Sequence, residues 1–337
     1  MREPAFWRKP SSLLSRSLMP VGALYGAIAA RRLSRKGLRA GVPVICVGNY
    51  HLGGAGKTPT VLALAGVLRS LGETPVVISR GYGGRLRGPV RVDPDRHEAA
   101  DAGDEPLMMA RTLPVIVSRQ RAAGVAPARA LGASVILMDD GFQNPALAKD
   151  ISLIVIDGDR GLGNGRVFPA GPLRAPLPPQ LARTDGLVIV GPGSAADDVA
   201  ARIKARGGLV LRARIVPDDA SVAALRGRRV LAFAGIGDPP RFFRGLRACG
   251  VDVAAERAFA DHHPFSRRDV AALQAAAGQD GLTLVTTEKD LARLRNNENL
   301  AAFAQTVAPF AVRLAFDDET LLRSFLVDRI AEARRSD

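Results

Sequence analysis

Short apolar, β-branched runs alternate with helix-forming stretches along most of the chain, and that rhythm predicts the fold before any motif is considered. Residues 44–47, 75–79, 114–118, 134–138, 151–157 and 184–191 read as buried strands. Between them, residues 58–71, 107–111, a stretch ending at Leu131 and residues 195–206 read as helices. Strands alternating with helices predict an α/β fold built on a doubly wound parallel sheet. The pattern begins afresh with a strand at 230–234, a helix through Cys249, a helix from about Ser266 and a strand at 282–286. This predicts a large core over 41–207 and a smaller α/β subdomain over 208–337. In the last helix, residues 318–335, Leu321, Leu322, Phe325, Leu326 and Ile330 recur at helical intervals and are expected to face a core; that helix is free to pack back on the large one.

The first forty residues break the rhythm. Phe6, Trp7, Arg8 and Lys9 precede an apolar run from Leu18 to Ala30, and Arg31, Arg32, Arg35, Lys36 and Arg39 follow it. The run is too short for the roughly 20 residues a bilayer-spanning helix needs, and no small-residue cleavage site marks it as a secretory signal. It predicts a helix or helical hairpin lying on an anionic membrane surface, the alternative being a helix packed on the protein itself.

Composition narrows the partners. A formal net charge of +14 over 337 residues calls for an acidic surface or a phosphorylated substrate, unless it is only a solvated basic exterior. Three tyrosines and one tryptophan, not interleaved with the arginines, leave no stacking platform for nucleic acid. Cys46 and Cys249 have neither metal-ligand nor disulfide-framework spacing, which fits a reducing compartment.

The most informative stretch is VICVGNYHLGGAGKTPT, residues 44–60, in which a strand empties into glycines and then Gly56-Lys57-Thr58. A strand, a glycine-rich turn and a helix N-terminus aim backbone amides at one point. Lys57 can reach outer phosphates and Thr58 offers a hydroxyl to magnesium. The pattern G-x-x-x-x-G-K-[ST] wants glycine where His51 stands, with Gly53 and Gly54 inside the loop instead. The expected ATP cradle is His51, Leu52, Gly53, Gly54, Ala55, Gly56, Lys57 and Thr58, in a P-loop NTPase-like core; the alternative is a tight corner using glycine for geometry alone. A second signal is the apolar strand at 134–138 running into Asp139-Asp140-Gly141, a place where carboxylates hold magnesium or its waters.

Other candidates keep two readings on spacing alone. Arg80, in SRGYGG at a strand's carboxyl end, is an anion ligand or a surface arginine. Asp104, in GDEP, is a reactive carboxylate or a helix cap. Arg119 and Arg121 follow the strand at 114–118. Arg174 lies in the glycine- and proline-rich stretch 158–176, which is long enough to be functional. His262 and His263, in DHHPF, are reactive or cap the helix from Ser266. A metal phosphoesterase reading of DHH lacks ligands, since the chain has four histidines.

Taken in order, GGAGKTP at 53–59, SRGYGG at 79–84, GDEP at 103–106, MDDGFQ at 138–143, FPAGPLR at 168–174, GIGDPPRFF, DHHPF and TEKD at 287–290 resemble the tetraacyldisaccharide 4'-kinase family of lipid A biosynthesis, from the N-terminal segment to about residue 295. The resemblance implies transfer of the γ-phosphoryl of ATP, with Mg2+, to the 4'-hydroxyl of a tetraacyl glucosamine disaccharide 1-phosphate, giving lipid IVA at the cytoplasmic face of the bacterial inner membrane. It implies Asp104 as base with His262 as its partner, Lys57 on the phosphates, and Asp139, Asp140 and Thr58 around magnesium. It also associates Arg80, Arg119, Arg121 and Arg174 with phosphate or lipid headgroup, and suggests neither nucleic acid nor an obligate protein partner. The chain departs from the family at Ala175, where glutamate is usual, which leaves any role of that glutamate in doubt here. A membrane-docked regulatory P-loop ATPase would account for the GKT loop, the paired aspartates and the N-terminus, but not for GDEP or DHH.

Overall fold

The structure, a computed structural model, describes residues 4–9, 12–54, 56–295 and 297–336. Its strands in chain order are β1 Val44–Gly48, β2 Pro75–Ser79, β3 Val90–Arg91, β4 Val115–Val117, β5 Val135–Asp139, β6 Ile151–Asp157, β7 Gly186–Val190, β8 Leu209–Pro217, β9 Arg229–Ala234, β10 Asp252–Ala258, β11 Thr283–Thr287, β12 Ala308–Phe310 and β13 Val312–Phe316. Among the described residues they form two sheets. The large one runs β13-β8-β7-β6-β1-β5-β2-β4-β3, with β8 through β4 parallel and only the edge strands β13 and β3 antiparallel. The small one, β10-β9-β11-β12, is wholly parallel.

Strand alternation explains why β1 sits at the centre. Ile45 and Val47 point into one core with Leu64, Leu137 and Val155, while Val44 and Cys46 point into the other with Ile136, Met138 and Ile154. Both faces are apolar, so both must be covered by helices, as a parallel sheet requires. Each such buried Ile, Leu or Val side chain contributes about 1.5–3 kcal/mol of burial free energy. At β1 the strand order reverses, between β5 on one side and β6 on the other, and the carboxyl ends of these strands form the crevice where open α/β sheets take ligands.

The domain boundary expected at residue 208 needs correction. β8 pairs with β7 in the large sheet, and β13 pairs with β8, Val312 opposite Pro217. The smaller unit is therefore residues 218–311, and the chain returns to the large sheet afterwards. Sequence reading missed β8 because its inner half alternates apolar with arginine, as suits a strand near a sheet edge. The closing helix Glu319–Ser336 packs back on the large core through Leu322, Leu326 and Ile330, with Phe325 partly buried. Leu321, expected inward, is exposed.

The N-terminal segment forms helices Leu13–Ser17 and Met19–Leu33. Among the described residues no helix is long and apolar enough to cross a membrane. Met19–Leu33 turns Gly22 and Gly26 toward the protein, while Val21, Leu24, Tyr25 and Ile28, an i, i+3, i+4, i+7 stripe, stay exposed.

Candidate active site

The loop after β1 has the strand, glycine turn and helix start expected of a phosphate cradle. Gly56 has φ +88°, a conformation L side chains rarely adopt, and it hands the chain to helix Lys57–Ser70. Lys57 Nζ lies 3.8 Å from Asp140 Oδ1. Arg174 holds the same carboxylate with both guanidinium arms, Nη1 to Oδ1 at 2.8 Å and Nη2 to Oδ2 at 3.1 Å, and donates through Nε to the His51 carbonyl at 3.1 Å. Burial pushes the Asp140 carboxyl up, but Lys57 and Arg174 reverse this and hold it below the usual range. His51 is buried, and burial together with Lys57 and Arg174 lowers its pKa to about 4, so the imidazole adds no charge to the cradle near neutral pH. Ala55, expected in the cradle, lies outside the described residues.

Asp139 contrasts with its neighbour. It is buried at the end of β5; Ser79 donates to its Oδ2 at 3.0 Å, and its Oδ1 has no hydrogen-bond partner. Burial, with the charges of Glu105 and Asp140, pushes its pKa up to about 7. A buried carboxylate oxygen without a partner, near the Thr58 hydroxyl's helix and a lysine, suits a hard cation that takes its remaining ligands from phosphate and water. Among the described residues there is no cluster of three or more His, Cys, Asp or Glu that would cage a metal unaided.

The second half of the site is built across the junction of the two sheets. Gly103, φ +89°, lies so close to the SRGYGG loop that a Cβ there would be 2.4 Å from the Tyr82 carbonyl, which is how GDEP and SRGYGG come to share one wall. Asp104 opens helix Asp104–Ala110, yet its oxygens face the smaller unit rather than the helix's own amides. His262 Nδ1 is 2.6 Å from Asp104 Oδ2, and Arg293 donates Nε to Oδ1 at 3.0 Å and Nη2 to Oδ2 at 2.7 Å. Burial raises the Asp104 carboxyl, but the bonds from His262 and Arg293 outweigh it and hold the group far below the usual carboxylate range. The capping alternative does not describe this side chain.

The two histidines part company. His263 Nε2 meets Asp269 Oδ2 at 3.1 Å, and Asp269 forms a capping box with Ser266, so His263 belongs to the helix start. His262, φ +58°, is turned to Asp104 instead. Both groups line an open cleft of about 780 Å³ with Tyr82, Asp261 and Arg293.

Arg293 and Asp290 were missed in the sequence. Arg293 Nη1 donates to Asp290 Oδ1 at 2.6 Å and to the Gly235 carbonyl at 2.9 Å, so a fully buried aspartate fixes the arginine that fixes Asp104. The TEKD motif contained Asp290; an arginine three residues later on the same helix face was the available signal.

The four expected anion-binding arginines separate. Arg80 is exposed at the end of β2, and its charge reaches Arg121. Arg119 is exposed and donates to the Gly84 carbonyl at 3.1 Å. Arg121 is buried, donating Nη2 to the Asp139 carbonyl at 2.7 Å, with Nε and Nη1 unpartnered. Arg174, expected on phosphate or lipid headgroup, lies against His51 and Asp140 because the FPAGPLR loop runs alongside residues 50–52. Ala175 is fully buried, its carbonyl accepting from Gln180 at 2.8 Å.

These features can be set beside known proteins. A family model described as LpxK, tetraacyldisaccharide-1-P 4'-kinase, matches residues 14–331. The chain belongs to the tetraacyldisaccharide 4'-kinase family. It is 90% identical over 337 residues to a tetraacyldisaccharide 4'-kinase of Nitrobacter winogradskyi, covering all of both chains. It is 68% identical over 334 residues to one of Rhodopseudomonas palustris strain BisB18, covering 99% of this chain and 97% of that one. A crystal structure of LpxK from Aquifex aeolicus, described as an "apo" form in complex with ATP, superposes with a TM-score of 0.70 at 28% identity, covering 94% of this chain and 99% of that one. As a member of the family the chain is a kinase, phosphorylating the 4'-hydroxyl of a tetraacyl disaccharide 1-phosphate in lipid A biosynthesis. The regulatory-ATPase alternative is not favoured.

Proposed function

We propose that ATP is the phosphoryl donor and sits with its outer phosphates between the amides of the described residues 51–54 and 56–58 and Lys57, and that the lipid disaccharide enters the cleft lined by Asp104 and His262. The observation that carries this is the pairing of Asp104 with His262 at 2.6 Å in an open cleft beside the cradle. Glu105, adjacent to Asp104, is close enough to act on Asp139, so the two halves adjoin.

Phosphoryl transfer asks for positioning and charge neutralisation more than for covalent chemistry. Lys57 and Arg174 supply positive charge; Asp140 aims both. Thr58 and Asp139 would hold a magnesium ion, which supplies further neutralisation of phosphate charge when bound. Asp104 accepts a hydrogen bond from the 4'-hydroxyl and orients its oxygen. A carboxylate held so far down is a weak base, so it receives the proton late, as the new O–P bond forms, while His262, donating through Nδ1, keeps the carboxylate oriented. Arg80 and Arg119, exposed within and against the SRGYGG loop, suit the anionic 1-phosphate.

The same reading places the protein at the cytoplasmic face of the inner membrane, where ATP and an acylated substrate meet. The exposed stripe on Met19–Leu33, with Leu13 and Leu14, would enter the interface while Arg16, Arg31, Arg32, Arg35 and Lys36 meet anionic headgroups.

Two measurements test these assignments. With detergent-dispersed disaccharide and labelled ATP, Asp104→Asn should lower lipid phosphorylation by about 10²–10⁴ yet leave nucleotide binding; an unchanged rate removes Asp104 from the chemistry. Leu24→Asp with Ile28→Asp should reduce co-sedimentation with anionic vesicles, and undiminished sedimentation places the membrane contact elsewhere.

A further inference from the structure

The segment 158–176 contains no long helix or strand, and so must be held from outside. Its two halves are bonded to each other: Phe168 N–H donates to the Leu173 carbonyl at 2.9 Å and Leu173 N–H to the Arg166 carbonyl at 3.0 Å. One half faces the ATP cradle. Arg174 N–H donates to the Tyr50 carbonyl and Leu52 N–H to the Pro172 carbonyl, each at 2.8 Å, with the Arg174 side chain on His51 and Asp140.

The other half is held by the N-terminal segment. Trp7 is buried; its Nε1 donates to the Pro169 carbonyl at 3.1 Å, its carbonyl accepts from Asn164 N–H at 2.6 Å, and its ring meets Phe168 edge-on at 6.1 Å. Ser15, also buried, donates to the Ala170 carbonyl at 2.6 Å and accepts from Asn164 Nδ2 at 3.1 Å. Gly22 lets Met19–Leu33 close on the loop, since a Cβ there would be 2.9 Å from the Val167 carbonyl.

We propose that the N-terminal segment is a part of the nucleotide site at one remove: Trp7 and Ser15 are positioning residues that hold the 158–176 loop so that Arg174 presents its guanidinium to Asp140 and the cradle. A membrane anchor alone would need only the exposed stripe. Here the inward side of the same segment, through the buried residues Trp7 and Ser15, makes these four hydrogen bonds to a loop that ends on the phosphate cradle. The proposal rests on placing Arg174 in that cradle.

The test uses the full-length protein in detergent with dispersed lipid disaccharide, and reads KM for ATP, KM for the disaccharide and direct nucleotide binding. Trp7→Ala and Ser15→Ala should each raise KM for ATP about fivefold, the equilibrium equivalent of one buried hydrogen bond, with KM for the disaccharide and vesicle sedimentation unchanged. Trp7→Phe, which keeps the ring packing and loses only the Nε1 bond, should fall between wild type and Trp7→Ala. In an Arg174→Ala background, Trp7→Ala should add nothing further to KM for ATP, because its effect passes through the missing guanidinium. An unchanged KM for ATP in Trp7→Ala and Ser15→Ala overturns the proposal, as does full additivity with Arg174→Ala. If Arg174→Ala itself leaves nucleotide binding unchanged, the placement of Arg174 is wrong and the proposal goes with it.

Discussion

Lys57, Asp139, Asp140 and Arg174 gather at the carboxyl ends of the strands of a single sheet, whereas Asp104 is met by His262 and Arg293 across the junction between two sheets. The nucleotide side is thus fixed by the fold of the large unit, with its positive and negative charges already neighbours. The Asp104 side is completed by His262 and Arg293 of the smaller unit. Asp104 and the cradle both stand on the large unit, and only the partners of Asp104, His262 and Arg293, come from the smaller one, so the geometry around Asp104 is a property of the contact between units.

The sharpest way to break that comparison is to remove one group from each side. Asp104→Asn should lower kcat by about 10²–10⁴ with little change in nucleotide affinity, while Lys57→Met should lower kcat/KM for ATP by about 10² or more with lipid binding retained. Equal loss of nucleotide binding in both variants would show the halves to be one site. Steady-state kinetics with each substrate varied decides it.

Arg293→Met should have the next largest effect, lowering kcat about tenfold, because it leaves Asp104 and Asp290 as buried carboxylates without their common cation. The sign of its pH dependence follows from the lowered carboxyl. With Arg293 present, the Asp104 bridges contribute stability above the unfolded value of about 3.9 and lose it as pH falls through the lowered folded value. Without Arg293 the folded value rises, so the acid limb of the pH–rate profile moves to higher pH. Arg293→Lys should restore part of kcat; an unmoved acid limb with full activity would reduce Arg293 to packing.

The smallest effect is expected on the far flank, where Arg160 pairs with Asp238 at 2.5 Å and Arg241 with Asp157 at 2.7 Å. The Arg160 pair is about a third exposed, so Arg160→Ala should cost no more than about 1 kcal/mol in thermal unfolding and change kcat less than about threefold. A loss as large as that of Arg293→Met would mean both flanks set the alignment equally.

The unequal legibility of the two sides in the sequence has the same origin. The cradle could be read because a strand, a loop and a helix start are contiguous over residues 44–60, and β5 announces Asp139 and Asp140 by its apolar run. Asp104 lies 158 residues from His262 and 189 from Arg293; spacing left Asp104 open between a reactive carboxylate and a helix cap, and the pairing of His262 with it came from resemblance. Arg293 looked like one more arginine in a basic chain, since nothing local reveals that a buried Asp290 and a remote Asp104 share it. The fold class was legible from strand and helix rhythm, but β8 was not, because its arginines broke the apolar run. That one strand displaced the domain boundary. Arg174 was left between phosphate and lipid headgroup because a glycine- and proline-rich loop carries no periodicity that says which neighbour it lies against.

The pairing of Val312 with Pro217 has a further consequence. The chain leaves the large sheet on β8 and re-enters it on β13, its immediate neighbour, with Asp218 N–H donating to the Ala311 carbonyl at 2.9 Å across the gap. Residues 218–311 are thus an insertion whose two ends meet like those of a hairpin turn. A short loop in their place would leave an unbroken antiparallel pair, so the smaller unit is modular at the level of the gene: it can lengthen, shorten or be exchanged without altering the strand register of the sheet that carries the phosphate cradle.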